Sequence, residues 1–489
     1  MSKLGKVMSK FPKSFWVANS MELFERWAWY GLFNLLALYL TNSVDEGALG
    51  FTQTQKGMIM GTVTAILYFL PIITGSMADR FGYRKMLILS FIILGSGYYL
   101  MGTFTTYGAV FFAFLYVAVG AAMFKPIIAA TVAKTTTDKT SSIGFGIFYM
   151  MINIGGFLGP VFSSKLRHDM GWGIIFVMAA SVIAINMLLV LFLFKEPDRK
   201  KSTEKFLTSV KESFFNIYKA LKDLKLAVFL LIMVGFWTLF NQLFYTLPNF
   251  IDQWVNTSIL YNNIASISPA LASAFGTDEG TVAPEMFINL DAGFIILFQL
   301  IISTLVMRFK SITSIVSGLL VVALGIGLAF ATDNGMFVVL AILIFSIGEM
   351  ASSPKFTEYI GKIAPKNKEA LYMGTSFLPI AVGNYFAGIV SGPVYERTSD
   401  KISLLRREMI SRGHDLPEIG KGYTQNDFID QSAELLNTDA SGITQLLWEN
   451  YNPSRIWYVF AGIGLLTAVS LLLYNKFMLK GEEPTRAAD

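Results

Sequence analysis

Apolar residues dominate twelve long segments of the chain, and polar residues gather in the stretches between them. Each segment has about 20 residues or more, enough for a helix to cross the roughly 30 Å hydrocarbon core of a bilayer. The pattern therefore predicts twelve membrane-spanning helices. They begin near Phe15, Gln53, Lys85, Tyr107, Ser141, Trp172, Leu226, Met286, Ile312, Gly335, Ala370 and Arg455.

The segments fall into two groups of six, before Glu196 and after Lys225. We predict an all-α polytopic membrane protein with two six-helix bundles, at residues 1–195 and 226–489. Apolar residues at helical spacing in the connector, 196–225, favour a basic amphipathic tether on the cytoplasmic headgroups over a regulatory lipid-binding helix. The polar stretch 396–454 is expected to be an extracellular or periplasmic loop with two or three short amphipathic helices.

Composition and charge support a membrane location. The chain is 54% hydrophobic and 15% charged, against roughly 25% charged residues in soluble domains. Residues 41–52 and 256–285 contain no Lys or Arg, whereas the alternate connections are basic. The positive-inside rule then predicts cytoplasmic termini in the cell (inner) membrane. The net charge of +5 reflects this topology, so we expect the lipid bilayer, and not nucleic acid, as a partner. We expect the protein to be a monomer.

The first apolar segment carries three ionisable residues. Glu22, Glu25 and Arg26 are spaced i, i+3 and i+4, so they project from one face of a helix. Ionisable groups at bilayer depth mark substrate or ion pathways. Arg26 can fully compensate only one carboxylate, which leaves the other able to take up and release a proton. This cluster predicts a proton-coupled carrier.

A glycine-rich charged loop follows the second segment. Its key residues are Gly75, Asp79, Arg80, Gly82 and Arg84, and the loop resembles the cytoplasmic signature of the major facilitator superfamily. In a gate, Asp79 can pair with cations or a helix end in one conformation and release them in another.

Several stretches resemble the proton-coupled oligopeptide transporter (POT) family of that superfamily. Residues 22–31 resemble its ExxERFxYYG motif, residues 148–156 its FYxxINxG motif, and residues 348–374 its tenth helix and the start of its eleventh. Lys125-Pro126 and the residues from Tyr68 to Pro71 match as well.

The resemblance implies roles for individual residues. Glu22, Glu25 and Arg26 resemble the proton-linked cluster, Lys125 the group that binds the peptide carboxylate, and Glu349 the partner of the peptide amino terminus. Further cavity positions would be Tyr30, Tyr68 and Asn153. Each has a structural alternative: Lys125 could snorkel, the tyrosines could pack or anchor helices, and Asn153 with its glycine neighbours could serve close helix packing.

The chain departs from the family at the expected pocket. Phe33 stands where the family has arginine, Ile127 where it has asparagine and Ser376 where it has tryptophan. Asn241, next to Gln242, replaces the proton-linked glutamate of the seventh helix. Asp291 stands where the eighth-helix motif has asparagine. We hypothesise that Asp291 takes over as the titratable acid; the alternative is an Asp291 hydrated near the surface.

The leading interpretation is a proton-driven importer of di- and tripeptides that works by alternating access and needs no cofactor beyond the proton gradient. A different zwitterionic or amide-bearing cargo, or a membrane peptide receptor without transport, remain as alternatives. No HExxH, GxSxG or phosphate-loop motif suggests an enzyme, and the absence of cysteine excludes thiolate metal sites.

Overall fold

Helices form nearly all of the protein, because a backbone in a bilayer must satisfy its own hydrogen bonds. The computed structural model describes residues 11–137, 140–197, 206–329, 332–365, 369–420 and 422–480. Within these ranges no β-strand occurs, and β-type pairing is limited to isolated bridges. The predicted all-α class is confirmed.

Eight α-helices lie among the described residues of the first part of the chain, and the break between α2 and α3 falls at Leu70, directly before Pro71. They are α1 (Lys13–Thr41), α2 (Gln53–Phe69), α3 (Pro71–Phe81), α4 (Tyr83–Thr103), α5 (Tyr107–Lys134), α6 (Ser141–Met170), α7 (Gly173–Phe192) and α8 (Phe206–Leu221).

The second part is more broken, with interruptions inside the seventh and eleventh predicted segments. Its helices are α9 (Leu224–Phe240), α10 (Gln242–Tyr245), α11 (Leu247–Trp254), α12 (Ser258–Ile267), α13 (Pro269–Phe275), α14 (Pro284–Val306), α15 (Ser311–Leu324), α16 (Gly335–Ile363), α17 (Glu369–Thr375), α18 (Phe377–Ile389), α19 (Tyr395–Thr398), α20 (Lys401–Ser411), α21 (Gln425–Leu436), α22 (Ala440–Tyr451) and α23 (Arg455–Phe477).

All twelve predicted segments are helical. Ten stretches of the described residues are long and apolar enough to cross a membrane. The other two are α1, which carries the three ionisable residues, and the shorter apolar helix Ser311–Gly327. Helices α20, α21 and α22 confirm the short helices expected in the polar loop. Helix α8 occupies the connector, whose residues 198–205 lie outside the described ranges.

The chain forms two compact units. The first comprises Met1–Phe33 and Ile66–Lys219, and the second comprises Asn34–Ala65 and Ala220–Asp489. The last residues of α1, from Asn34, and the first part of α2, to Ala65, therefore pack with the carboxyl-terminal helices. The division at 1–195, 196–225 and 226–489 stays a prediction.

Glycines let helix α6 lie directly on α1 in the first unit. A Cβ atom on Gly155 would sit 2.3 Å from the carbonyl oxygen of Leu23, and one on Gly159 would sit 2.5 Å from that of Trp27. Backbone atoms cannot move aside as side-chain ends can, so only glycine permits this approach. The contact places α6 beside the turn of α1 that carries the ionisable cluster.

Candidate functional site

The three ionisable residues of α1 form one buried cluster. Glu22, Glu25 and Arg26 are each no more than 5% exposed. Arg26 Nε lies 2.5 Å from Glu25 Oε2 and 3.4 Å from Glu22 Oε1. The second oxygen of Glu25, Oε1, has no hydrogen-bond partner among the described residues. One guanidinium thus serves two carboxylates, and it holds Glu25 more closely than Glu22.

Lys125 extends this cluster from helix α5. Its Nζ atom lies 4.7 Å from the ring centroid of Tyr68, and its charge is repelled by that of Arg26 and attracted by those of Glu25 and Glu22. The side chain is half-buried within its unit, at the middle of α5.

Pro126 stands inside α5 without breaking it. A proline has no N–H to donate to the carbonyl four residues earlier, here that of Ala122. The Thr74 hydroxyl donates to this carbonyl over 2.7 Å instead. Thr74, on α3, therefore supports the backbone beside Lys125, a role that no sequence pattern indicated.

Of two further predicted cavity residues in the same unit, Tyr30 lies beside the cluster and Asn153 bonds within its own helix. The Arg26 guanidinium carbon is 5.8 Å from the ring centroid of Tyr30. A Cβ on Gly156 would lie 3.3 Å from the Tyr30 ring. The Asn153 amide donates to the carbonyl of Tyr149 on its own helix, over 2.8 Å. The nearby glycines thus serve helix packing, while Tyr30 faces the cluster.

Asp291 on α14 contacts α16 in the second unit. Asp291 is 6% exposed, and its Oδ1 lies 2.5 Å from the hydroxyl of Ser346. The alternative of a hydrated surface Asp291 is therefore wrong. Glu349 follows three residues later on α16, and its buried Oε2 has no hydrogen-bond partner among the described residues. The hydrogen bond of Ser346 to Asp291 was not predicted, because it joins residues distant in sequence.

Three other predicted pocket residues use their side chains locally. Asn241 donates to the carbonyl of Trp237 and Gln242 to that of Thr238, over 2.7 and 2.9 Å. Ser376 donates to the carbonyl of Met373 over 2.7 Å. These bonds support backbone at the breaks between α9 and α10 and between α17 and α18, where regular helical bonding stops.

The predicted gating loop turns sharply between α3 and α4. Gly82 has φ 103°, a left-handed value that other residues rarely adopt. Arg84 donates to the carbonyl of Leu191 over 2.7 Å. Arg80 lies beside Phe81, with 5.9 Å from guanidinium carbon to ring centroid. Gly75 has open space at its Cβ position, and the side chain of Asp79 lies outside the described part.

Glu196 fixes the start of α4 and was not singled out from the sequence. Its carboxylate accepts hydrogen bonds from the backbone N–H groups of Tyr83 and Arg84, over 2.9 and 3.4 Å. An anion at a helix amino terminus satisfies free N–H groups and complements the helix dipole. An acid just after the sixth apolar segment was the available signal.

A sequence model of the Major Facilitator Superfamily matches residues 20–374, well over half of the chain. The chain belongs to the Major Facilitator Superfamily. A dipeptide and tripeptide permease A of Citrobacter koseri is 26% identical to this superfamily member over 445 residues, which are 81% of this chain and 87% of the relative. The same-named permease of Escherichia coli (strain K12) is 29% identical over 238 residues, 48% of this chain and 45% of the relative.

Another such permease, from Pectobacterium carotovorum, is 30% identical over 193 residues, 38% of this chain and 36% of the relative. The chain thus aligns with less than half the length of the E. coli and Pectobacterium permeases. These matches agree with the motifs, and the resemblance to the POT family is confirmed.

Solved structures show the same superfamily fold. A crystal structure of a peptide transporter POT in complex with sulfate has a TM-score of 0.70 and 17% identity, covering 96% of each chain. A POT family transporter in complex with 5-aminolevulinic acid has a TM-score of 0.67 and 16% identity, covering 96% of this chain and 99% of that one. The predicted superfamily fold is confirmed.

Proposed function

We propose that this protein imports di- and tripeptides together with protons. The observation that carries the proposal is the buried cluster of Glu22, Glu25 and Arg26, beside which Lys125 places a second cation. Buried charged groups cost desolvation free energy in any protein. In a carrier, these groups can change partners during transport, whereas in a static protein they would only lower stability. The relatives named dipeptide and tripeptide permeases support a peptide as the cargo.

A peptide is zwitterionic, so its two ends need opposite charges. Lys125 binds the carboxylate, with Tyr68 packed against the ammonium group of the lysine, and Glu349 binds the peptide amino group. Tyr30 and Asn153 line the region around the first unit's cluster. Asn241, Gln242 and Ser376 act chiefly by shaping broken helix ends, since their amides or hydroxyl are bonded to their own backbone.

The proton enters through carboxylates that lack a full counter-charge. Glu22 is held less closely by Arg26 than Glu25 is, which makes Glu22 the acid that exchanges a proton when its surroundings change. Asp291 supplies the corresponding acid of the second unit. The loop of Gly75, Asp79, Arg80, Gly82 and Arg84 acts as the gate on the cytoplasmic side. The protein works in the inner membrane with cytoplasmic termini, as a monomer.

A second cargo class deserves a test: another zwitterion such as a small amino acid. Phe33, where the family has arginine, is buried and stacks on Trp29 with ring centroids 5.2 Å apart. Ile127 is fully buried. Apolar packing thus fills two positions that are polar in the family. The similar transporter in complex with 5-aminolevulinic acid makes a compact zwitterion a specific alternative.

Uptake into proteoliposomes tests the proposal. We expect an imposed inward proton gradient to drive accumulation of labelled dialanine, and an uncoupler to abolish it. Glu25→Gln and Lys125→Ala should each lose this accumulation, while Gly462→Ala, whose added methyl meets open space, should keep it. Uptake of 5-aminolevulinic acid but not of dialanine would favour the second cargo, and uptake of neither would contradict the proposed transport.

A further inference from the structure

A partly open cavity of about 560 Å³ lies in the second unit, where helices α20 and α22 of the polar loop meet the end of α11. Its wall is formed by the end of α11 with the two residues after it, by Asp333, by the first residue of α20 and by one face of α22. Pockets for small ligands have volumes of about 300–1,000 Å³. None of its described lining residues belongs to the charge cluster of α1 or to the positions proposed to bind the peptide, so it is a separate candidate site.

The wall of this cavity is held in place by its own hydrogen bonds. Gln253 accepts from the Tyr395 hydroxyl over 2.9 Å and from the backbone N–H of Lys401 over 3.2 Å. The indole N–H of Trp254 donates to the carbonyl of Ser399 over 2.8 Å. A wall fixed in this way need not be ordered when a ligand enters, which removes one cost of binding.

Two tryptophan rings line the cavity. The ring centroids of Trp254 and Trp448 are 6.0 Å apart, with 52° between the ring planes. Trp254 is 3% exposed, whereas Trp448 is half-buried. The Lys401 ammonium lies 5.8 Å from the Trp254 ring centroid and donates to the Thr444 hydroxyl over 2.6 Å. Aromatic faces attract cations, so the more exposed ring of Trp448 can receive a second cation.

The charges around the cavity are mostly negative. Its described lining contains the three carboxylates of Asp252, Asp333 and Glu449 and the one ammonium group of Lys401, which leaves a net charge of −2. All three carboxylates are exposed within the unit. The Gln445 amide donates to Glu449 over 3.0 Å and leaves the carboxylate charge in place. An anionic ligand would be repelled here, whereas a cation complements the site.

We propose that this cavity binds the ammonium group of a small organic molecule. Asp333 and Glu449 balance the ammonium charge, and the Trp448 ring packs against the carbon atoms beside it. The amino terminus of a peptide and a free amine without a carboxylate share this chemistry. The proposal goes beyond the proposed transport and does not depend on it, because the cavity uses none of the residues assigned to the transported peptide.

Protection of a single thiol measures binding at this cavity. The chain has no cysteine and Ser441 is an exposed lining residue, so Ser441→Cys supplies one thiol at the site. We expect dialaninamide, in amine-free buffer at neutral pH, to slow modification of this thiol in the full-length protein by a neutral methanethiosulfonate. N-acetyl-dialanine, which has no ammonium group, should not slow it. The control thiol of Ser266→Cys, exposed on α12 outside the cavity, should react at the same rate with or without either compound.

Dialanine distinguishes the two sources of the ammonium group. Protection of Ser441→Cys by both dialanine and dialaninamide would support a peptide amino terminus as the ligand. Protection by dialaninamide alone would support an amine that lacks a carboxylate. No protection by either compound at millimolar concentration, or equal protection by N-acetyl-dialanine, would overturn the proposal.

Removal of two carboxylates tests the recognition of charge. Asp333→Asn/Glu449→Gln in the Ser441→Cys background brings the lining to a net charge of zero. The half-protecting concentration of dialaninamide should then rise about tenfold. Asp430→Asn/Glu434→Gln makes the same charge change on exposed residues of α21 outside the cavity and should leave this concentration unchanged.

An equal half-protecting concentration in Asp333→Asn/Glu449→Gln and its parent would overturn the ammonium assignment. Both pairs exchange exposed side chains for ones of the same shape, and melting temperatures equal to that of the parent would verify that the variants fold. If proteoliposomes show no gradient-driven uptake of dialanine, the proposed transport fails, whereas the protection of Ser441→Cys still decides whether the cavity binds an ammonium group.

Discussion

The ammonium group of Lys56 donates a 2.7 Å hydrogen bond to the backbone oxygen of Tyr245. Lys56 is fully buried in the first turns of α2, and its Nζ also lies 3.1 Å from Asn249 Oδ1 and 5.5 Å from the ring centroid of Tyr395. No carboxylate among the described residues is in ion-pair contact with it. A cation held by neutral acceptors and a ring fastens α2 to α10, α11 and α19 within the second unit.

Replacing Lys56 should loosen this junction. Each hydrogen bond from a charged donor contributes about 1.5–3 kcal/mol, so Lys56→Ala should lower the melting temperature of the purified protein clearly. Lys56→Met keeps the side-chain volume and removes the buried charge, so the melting temperature should fall less in this variant than in Lys56→Ala. Lys211→Ala, at an exposed position of α8, should change little. Equal melting temperatures for Lys56→Ala and wild type would show that the contact does not hold α2 in place.

Close backbone contact should make Gly57 intolerant of any side chain. A Cβ there would sit 2.2 Å from the carbonyl oxygen of Gly388, and 2.7 Å from the Cα of Gly392. Overpacking of this kind costs about 1–3 kcal/mol, so Gly57→Ala should push α2 away from α18. The chain has no cysteine, which makes Met60→Cys a unique reporter on a fully buried residue.

We expect thiol labelling of Met60→Cys to rise and peptide uptake to fall when Gly57→Ala is added. The matched control is Gly462→Ala in the same reporter background, because a Cβ at Gly462 meets nothing within 4 Å. If Gly57→Ala leaves labelling unchanged, the contact of α2 with α18 is not required to shield this part of the helix.

The charge cluster on α1 should show strong coupling between its members. Arg26→Met removes the cation that pairs directly with two buried carboxylates, and breaking a buried ion pair this way costs about 3–5 kcal/mol. Adding Glu25→Gln removes one of those charges and should restore much of the stability. Thermal unfolding of the two single variants and the double variant gives the coupling energy.

Arg412→Met provides the comparison for this cycle. Arg412 is 44% exposed and pairs with Glu408 over 2.8 Å, while Glu408 keeps a 2.9 Å hydrogen bond from the Tyr451 hydroxyl. Exposed pairs contribute about 0–1 kcal/mol. Similar losses for Arg26→Met and Arg412→Met would mean that burial does not set the strength of the Arg26 interactions.

The spacing of residues along the sequence predicted which side chains share a face of one helix. It did not predict contacts between helices that are distant in the sequence. Glu22, Glu25 and Arg26 share a face because the helical period alone puts them there. The hydrogen bond of Ser346 to Asp291 depends on how α14 packs on α16, which no short-range pattern encodes.

The break between α9 and α10 was also missed, because no proline or glycine marks it in the sequence. Helix α9 ends at Phe240 in an apolar run, and the amides of Asn241 and Gln242 then bond to preceding carbonyls. From the sequence, Asn241 was interpreted as a lost proton site. In the structure, its side-chain amide donates to the backbone carbonyl of Trp237. Two helices, α12 and α13, occupy residues that were expected to be a plain connection.

The side-chain amide of Asn426 joins α21 to the short loop after α1, next to a bond from the Gln425 amide to the carbonyl of Thr41. A charge-changing replacement of Asn426 should weaken this contact. Asn426 Nδ2 donates to Asp45 Oδ2 over 2.9 Å and to Glu46 Oε1 over 3.0 Å. Partial desolvation raises the pKa of Asp45, but hydrogen bonds from Ser43 and Asn426 outweigh it and hold this pKa below its ordinary value. Asn426→Asp places a third carboxylate against two others and removes the donor.

We expect faster amide hydrogen exchange across α21 in Asn426→Asp at neutral pH, with partial recovery at high salt because screening weakens repulsion. Gln431→Glu adds the same charge to the same helix but still accepts the hydroxyl of Tyr423, so it should exchange like wild type. A carboxyl group whose pKa is lowered in the folded protein stabilises the fold at pH values above its ordinary pKa. This stabilisation is lost as the pH falls through the pKa of the folded state. Wild-type protection of α21 should therefore decline only in strong acid, and a decline near neutral pH would show that another group controls this contact.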